Sequence, residues 1–238
     1  MSGHSKWATI KRKKAKEDAK RGKAFTKVTK EITVAARQGG GDPSGNPRLR
    51  LLIEKAKEIN MPHENIQRAI KKGTGELPGQ AYEEFTYEGY GPNGIAVIVD
   101  TLTDNKNRIA SELRRLFSTK GGSLGETGSV NWMFEKKGVI KAEGTSITED
   151  ALLEKLLDYD VTDVESGEGW FSIYCEPKSL EKVKQAVLEL GLKIDTAQIE
   201  WVPKTPLSLP ADQAEKAYDF LEALDDQDDV QNVYTNLG

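Results

Sequence analysis

Only one of the 238 residues is a cysteine, Cys175. An intramolecular disulfide is therefore excluded, and the usage suits a reducing compartment. Histidine is nearly as scarce. His4 and His63 are the only two, and neither stands at metal-ligand spacing from the other or from Cys175, so no zinc site is expected. The same scarcity removes the usual base for a serine or cysteine nucleophile, and the chain reads as a non-enzyme without a cofactor. Long apolar runs are missing too. The longest, Ile95-Ala96-Val97-Ile98-Val99, reads as one strand, far short of the roughly 18 residues a membrane-spanning helix requires. The lysine-rich start has no apolar stretch behind it and includes Glu17 and Asp18, unlike a secretory signal or a transit peptide. A mature, cytoplasmic, monomeric protein with no membrane association is the expectation.

Charge is abundant and unevenly placed. The net charge of −4 hides 19 Lys/Arg against 8 Asp/Glu in residues 1–80, and 15 against 30 in the remainder. Such asymmetry points to a polyanion partner for the first part and keeps the acidic remainder away from it.

Apolar periodicity predicts a helix over 23–38, with Phe25, Val28, Ile32 and Ala35 or Ala36 inward and Lys23, Lys27, Lys30 and Arg37 on the opposite face. Gly39-Gly40-Gly41 ends it. Asn46-Pro47 starts a second helix through an N-cap and a first-turn proline, with Leu49, Leu52, Ile53, Ala56 and Ile59 inward. A third runs from Pro62 to Lys72, with Ile66, Ala69 and Ile70 inward and Gly73 as terminator. Gly75, Pro78 and Gly79 mark a linker.

Beyond Gln80 the period becomes two. Strands are expected at 82–87, 95–100 and 130–134, with a helix at 107–118. The order strand 137–142, helix 148–158, strand 161–166, strand 169–175, helix 178–190, strand 193–201 is the ferredoxin-like β-α-β-β-α-β plan. A last helix, 211–224, and strand, 230–235, complete the earlier unit. The expected fold is α+β: a basic helical domain, 1–78, then two ferredoxin-like α+β domains, one (135–204) inserted into the other (79–134 plus 205–238).

Two glycine-rich stretches invite a nucleotide reading. GYGPNG at 89–94 is followed by a strand rather than a helix, so it reads as a hairpin turn. GGSLGETGS at 121–129 lacks the G-K-[ST] ending of a phosphate loop and reads as a flexible surface loop that can contact a partner. Asp225, Asp226, Asp228 and Asp229 read as a solvated acidic surface.

The basic arm carries the functional signal. His4, Lys6, Trp7, Lys11, Arg12, Lys13, Lys14, Lys16, Lys20, Arg21 and Lys23 fall close together, and the cations continue onto Lys27 and Lys30. Trp7 and His4 supply the aromatic faces that stack on exposed bases, and the cations supply phosphate contacts. No metal site is assigned. The helices at 47–60 and 62–72 imitate a helix-turn-helix with Asn65, Gln67, Arg68, Lys71 and Lys72 outward, but the link near Asn60-Met61 looks too short and lacks glycine.

Several segments in order, GHSKW at 3–7, DAKRGKAFTKVTKEI at 18–32, GGGDPSGNPRLR at 39–50, NMPHENIQRAIKKG at 60–73, YEGYGPNG at 87–94, DNKNR at 104–108, GGSLGETGSV at 121–130 and DDVQNVYTNL at 228–237, resemble the YebC/PmpR family nearly end to end. The resemblance implies three domains, a basic N-terminal element matching His4, Lys6, Trp7 and Lys11–Lys14, and no established catalytic residues. It implies either a translation factor that acts on the ribosome and eases stalling, or a transcriptional regulator of promoter DNA. The lysine-rich, aromatic-punctuated arm favours ribosomal RNA, with promoter DNA as the alternative.

Overall fold

The computed structural model describes residues 19–144 and 147–238, and these form two compact units. One comprises the described residues up to Trp132 together with Thr205–Gly238; the other is Met133–Lys204.

The first unit begins with three helices: α1 (Ala19–Gly39), α2 (Pro47–Glu58) and α3 (His63–Thr74). Val28, Ile32, Ala35 and Ala36 of α1 close on Leu49 and Ala56 of α2 and on Ile66, Ala69 and Ile70 of α3. The periodicity placed these faces correctly. Gly40, at φ +86°, turns the chain out of α1. Asn46 caps α2 by accepting from the Leu49 amide at 3.0 Å, and its side-chain amide donates to the Ala35 and Gly40 carbonyls. One buried side chain thus joins the end of α1 to the start of α2.

Gly73 does not terminate α3 as expected; Gly75, at φ +85°, does. Gly73 lies inside the helix, where a Cβ would sit 2.4 Å from the Thr33 carbonyl oxygen and 2.7 Å from the Ala36 Cβ. The residue is needed for close approach of α1 and α3. Gly73→Ala is expected to destabilise the chain by about 1–3 kcal/mol through overpacking, read as a lower urea midpoint with unchanged m-value. The link from α2 to α3 also differs from its expected form. It spans four residues, Ile59 to Pro62, and Asn60 takes the left-handed conformation (φ 59°) in which a glycine is usual.

The same unit continues with β1 (Glu83–Tyr90), β2 (Ala96–Thr103), α4 (Lys106–Thr119) and the short β3 (Ser123–Leu124). Residues 89–94 are the expected hairpin turn, with Tyr90 opposite Ala96. The expected strand at 130–134 is instead a 3-10 turn, Asn131–Met133, and Phe134 already opens the next unit's first strand, β4 (Phe134–Glu143).

In the second unit β4 is followed by α5 (Glu149–Leu156), β5 (Val161–Gly167), β6 (Trp170–Cys175), α6 (Leu180–Glu189) and β7 (Lys193–Pro203). Its sheet order, β5-β6-β4-β7, all antiparallel, is the ferredoxin-like arrangement. The sheet buries Ile140, Ala142, Phe171 and Ile173 against Leu152, Leu156, Val183 and Val187. Cys175 belongs to this core. Burial, with Glu176 and Asp160 nearby, pushes its thiol up to about 11, so it stays protonated and unreactive at neutral pH.

The chain then returns to the first unit with α7 (Ala211–Asp225) and β8 (Val230–Thr235). The sheet there has the order β3-β1-β2-β8. It reaches the same antiparallel layout by another route, because the hairpin β1–β2 supplies both central strands before the first helix. Central β2 is buried along nearly its whole length, and Val97 and Val99 pack against Ile109, Leu113 and Phe117 of α4 and Phe220, Leu221 and Leu224 of α7. Phe117 and Phe220 meet edge to face at 4.9 Å, the arrangement that ring quadrupoles favour.

Candidate nucleic-acid interface

His4, Lys6, Trp7, Lys11, Arg12, Lys13, Lys14 and Lys16 lie outside the described residues; Lys20 and Arg21 fall within α1, and their side chains lie outside them too. The structure therefore bears on the last three expected residues, Lys23, Lys27 and Lys30.

These three form a ladder along α1, one turn or so apart, and all point at the turn between α7 and β8. Lys23 Nζ donates to the Asp226 carbonyl at 3.1 Å. Lys27 Nζ donates to the Asp225 carbonyl at 3.0 Å and to its carboxylate at 3.3 Å. Lys30 Nζ donates to the Asp228 carbonyl at 2.9 Å and to Asp229 Oδ1 at 2.5 Å. The Lys23 and Lys27 ammonium groups meet carbonyls that the end of α7 leaves without helical donors, where the helix dipole is negative, and Lys30 meets the turn beyond it.

Two sequence expectations are corrected here. Asp229 is 6% exposed rather than solvated. Its other oxygen accepts from Arg108 and from the Thr103 hydroxyl, each at 2.7 Å. Burial alone would raise its pKa, but hydrogen bonds from Lys30, Arg108 and Thr103 outweigh that and hold the carboxyl below its usual range. Nor is Lys30 a free cation: it is 7% exposed. The acidic turn that the charge split assigned to solvent is the partner of α1. Periodicity could not show this, because α1 has two buried sides at its C-terminal end, where residues 32–36 are all buried. Lys23 retains substantial exposure at the rim.

Exposed cations stand instead on α2 and α3. Arg50, Lys57, Arg68 and Lys71 are exposed and make no ion pair among the described residues. Arg48 pairs with Glu84, and Lys55 with Glu31. Arg50 and Lys57 escaped the sequence reading; their signal was their place together on one flank of the helical wheel, beside the face of Leu49, Ile53 and Ala56. At the N-terminal end of α3 stand His63, Glu64 and Gln67, all exposed, with Gln67 near His63.

The glycine-rich loop after α4 is tied down, not loose. Glu88 of β1, 3% exposed, accepts from the amides of Gly128 (2.9 Å), Val130 (2.9 Å) and Asn131 (2.8 Å). Its own carbonyl accepts from Gly125 at 2.8 Å. An internal carboxylate thus fills the concavity of backbone donors that a phosphate loop would offer to a ligand. Beside it, Tyr90 and Trp132 both donate to the Ser129 carbonyl, and Trp132 remains 63% exposed. Among the described residues no group of three or more His, Cys, Asp or Glu side chains is placed to hold a metal ion, and no helix is long and apolar enough to cross a membrane.

Comparison with known proteins gives a consistent result. Residues 5–76 match the family profile described as the TACO1/YebC protein N-terminal domain, and residues 82–237 match the TACO1/YebC second and third domain. A probable transcriptional regulatory protein of Chlorobaculum tepidum is 55% identical over 238 residues, covering 100% of this chain and 95% of the relative. One from Chlorobaculum parvum is 54% identical with the same coverage. The crystal structure of a conserved hypothetical protein from Aquifex aeolicus superposes with a TM-score of 0.85 at 47% identity, covering 93% of this chain and 91% of that one. The chain belongs to the TACO1/YebC family.

Proposed function

We propose that this chain is a non-enzymatic, nucleic-acid-binding regulator of gene expression that docks on ribosomal RNA through its helical part, residues 1–78. Residues 79–134 plus 205–238 and residues 135–204 are then two further domains that position the glycine-rich loop near the peptidyl-transferase region and ease stalling there. The mechanism is non-covalent: docking biases the geometry of the reacting ends and lowers an orientational cost. The observation that carries the reading is the arm itself, with cations at Lys6, Lys11, Arg12, Lys13, Lys14 and Lys16 interleaved with His4 and Trp7. Lys20 and Arg21 extend it, Lys23 stands at its rim, and Lys27 and Lys30 hold α1 in place rather than contact RNA.

Changing Lys11, Arg12, Lys13 and Lys14 to alanine together is expected to weaken RNA binding broadly across sequences. It should flatten the dependence of log affinity on log salt by about 0.7 for each phosphate no longer neutralised. Trp7→Ala should weaken RNA binding with the slope nearly unchanged. An arm variant with the wild-type slope would end this reading.

The second reading, binding of promoter DNA, has two observations behind it. The curated relatives are named probable transcriptional regulatory proteins, and the four-residue link between α2 and α3 suits a helix-turn-helix. Against it, exposed Glu64 occupies the end of α3 that would enter the groove, while Arg68 and Lys71 stand farther along. DNA regulation requires one duplex to outcompete random duplex by about a thousandfold at physiological salt.

A further inference from the structure

The 158 residues after Gln80 contain three arginines, Arg108, Arg114 and Arg115, and all three lie on α4. Every other cation in that stretch is a lysine. Arg108 has a structural task, bridging Asp104 and Asp229 at 2.7 Å each. Arg114 and Arg115 make no such bridge, although Arg114 stands near enough to Tyr87 to act on its hydroxyl electrostatically. Both are exposed, and neither makes an ion pair among the described residues. They precede the last turn of α4, which carries no basic residue, so compensation of the helix dipole does not account for them. Exposed cations without a carboxylate partner add little to stability.

Their surroundings are those of a phosphate-contacting face. At 100° per residue, Asn107, Ser111, Arg114, Arg115 and Ser118 share one side of α4, opposite buried Ile109, Leu113 and Leu116. All five are exposed. Glu112, the helix's one acid, is half-buried and set off to the side. The face runs directly into the glycine-rich loop: Lys120 is exposed at the helix end, and the Gly121 and Gly122 amides close onto the Ser118 and Phe117 carbonyls. Guanidinium groups flanked by hydroxyl donors suit bidentate contact with phosphate oxygens, which a lysine's single ammonium does not reproduce.

We propose that the exposed face of α4, centred on Arg114 and Arg115, is a second RNA-backbone contact, set in the otherwise acidic part of the chain. It rests on the RNA reading above. Phosphates held by this face bring the RNA alongside the loop that Glu88 holds in shape. The charge split is then not absolute: the acidic remainder repels RNA except along this helix.

The test is titration of the full chain with a labelled ribosomal stem–loop RNA across a series of KCl concentrations. Arg114→Gln with Arg115→Gln should lower the salt slope by about 1.4–1.8, for two phosphates at 0.7–0.9 each, while the melting temperature stays at the wild-type value. Arg114→Lys with Arg115→Lys should keep most of the slope and lower the affinity. Removing the same charge at exposed Lys155 and Lys178 of the second unit, as Lys155→Gln with Lys178→Gln, should leave the slope unchanged. An unaltered slope in the Arg114/Arg115 glutamine variant overturns the proposal. If the arm variant still flattens the slope, the general RNA reading survives that result. Equal weakening on RNA and on duplex DNA of the same length overturns the assignment to RNA. A wild-type chain that does not bind the RNA defeats both readings.

Discussion

Asp229→Ala is expected to cost about 3–5 kcal/mol of unfolding free energy, the range for removing one partner of a buried ion pair. The carboxylate serves three donors at once: Lys30 at 2.5 Å, and Arg108 and Thr103 at 2.7 Å. Arg108 is half in water and keeps Asp104, so the effect there is small. Lys30 is different. Its side chain is 9% exposed, and without Asp229 it retains the Asp228 carbonyl at 2.9 Å but no counter-charge. Asp229→Asn keeps the shape and one acceptor and should cost less. Lys30→Met should also cost less, because Asp229 then still has Arg108 and Thr103. Urea unfolding of the three variants measures the ranking. A destabilisation below about 1 kcal/mol for Asp229→Ala would show that Lys30 simply returns to water.

The same site sets a pH dependence whose sign follows from the lowered pKa of Asp229. A carboxyl bound more tightly as the anion in the folded state stabilises that state at every pH above its unfolded value. The contribution disappears as pH falls through the depressed folded value. The charged groups facing it are Lys30 and Arg108, with Asp104 and Asp228 as nearby carboxyls. The stability gap between wild type and Asp229→Asn should therefore be constant near neutrality and narrow below about pH 4.

Much of this architecture was legible because local and tertiary signals agreed. Asn46-Pro47 and the β-α-β-β-α-β order each had one physical solution, and the structure adopts it. The failures share a cause: residues whose role is set by a distant segment. Gly73 looked like a helix terminator but is a contact surface for Thr33 and Ala36. Lys30 looked like a ligand-facing cation but meets Asp229, 199 residues away. The strand expected at 130–134 became a 3-10 turn because Glu88 draws its amides inward. Charge counted by segment identified which part is basic. It could not show which cations the fold itself consumes: on α1 Lys27 and Lys30 are held by the turn after α7, while on α4 Arg114 and Arg115 are exposed and make no ion pair among the described residues.

Glu88→Ala is expected to cost about 2–4 kcal/mol, since three backbone donors lose a charged acceptor and unpaired buried donors cost about 1–3 kcal/mol each. The Val130 amide bears most of this, because Val130 is fully buried; Gly128 is exposed and can turn to water. Glu88→Gln tests the charge separately. Its amide oxygen can accept, but its NH2 would confront one of the amides, donor against donor. Hydrogen exchange should quicken at Gly128, Val130 and Asn131 in both variants and stay unchanged in β4–β7, whose core lies in the other unit. The functional consequence separates shape from grip. On the RNA reading, the arm and the exposed face of α4 keep their charges, so RNA affinity should stay within about twofold, below 0.5 kcal/mol. On the same reading, relief of translational stalling should fall sharply, because the loop between Gly121 and Ser129 no longer holds one conformation. Full relief by a Glu88→Ala chain with quickened exchange would mean that the loop's shape is irrelevant to its task.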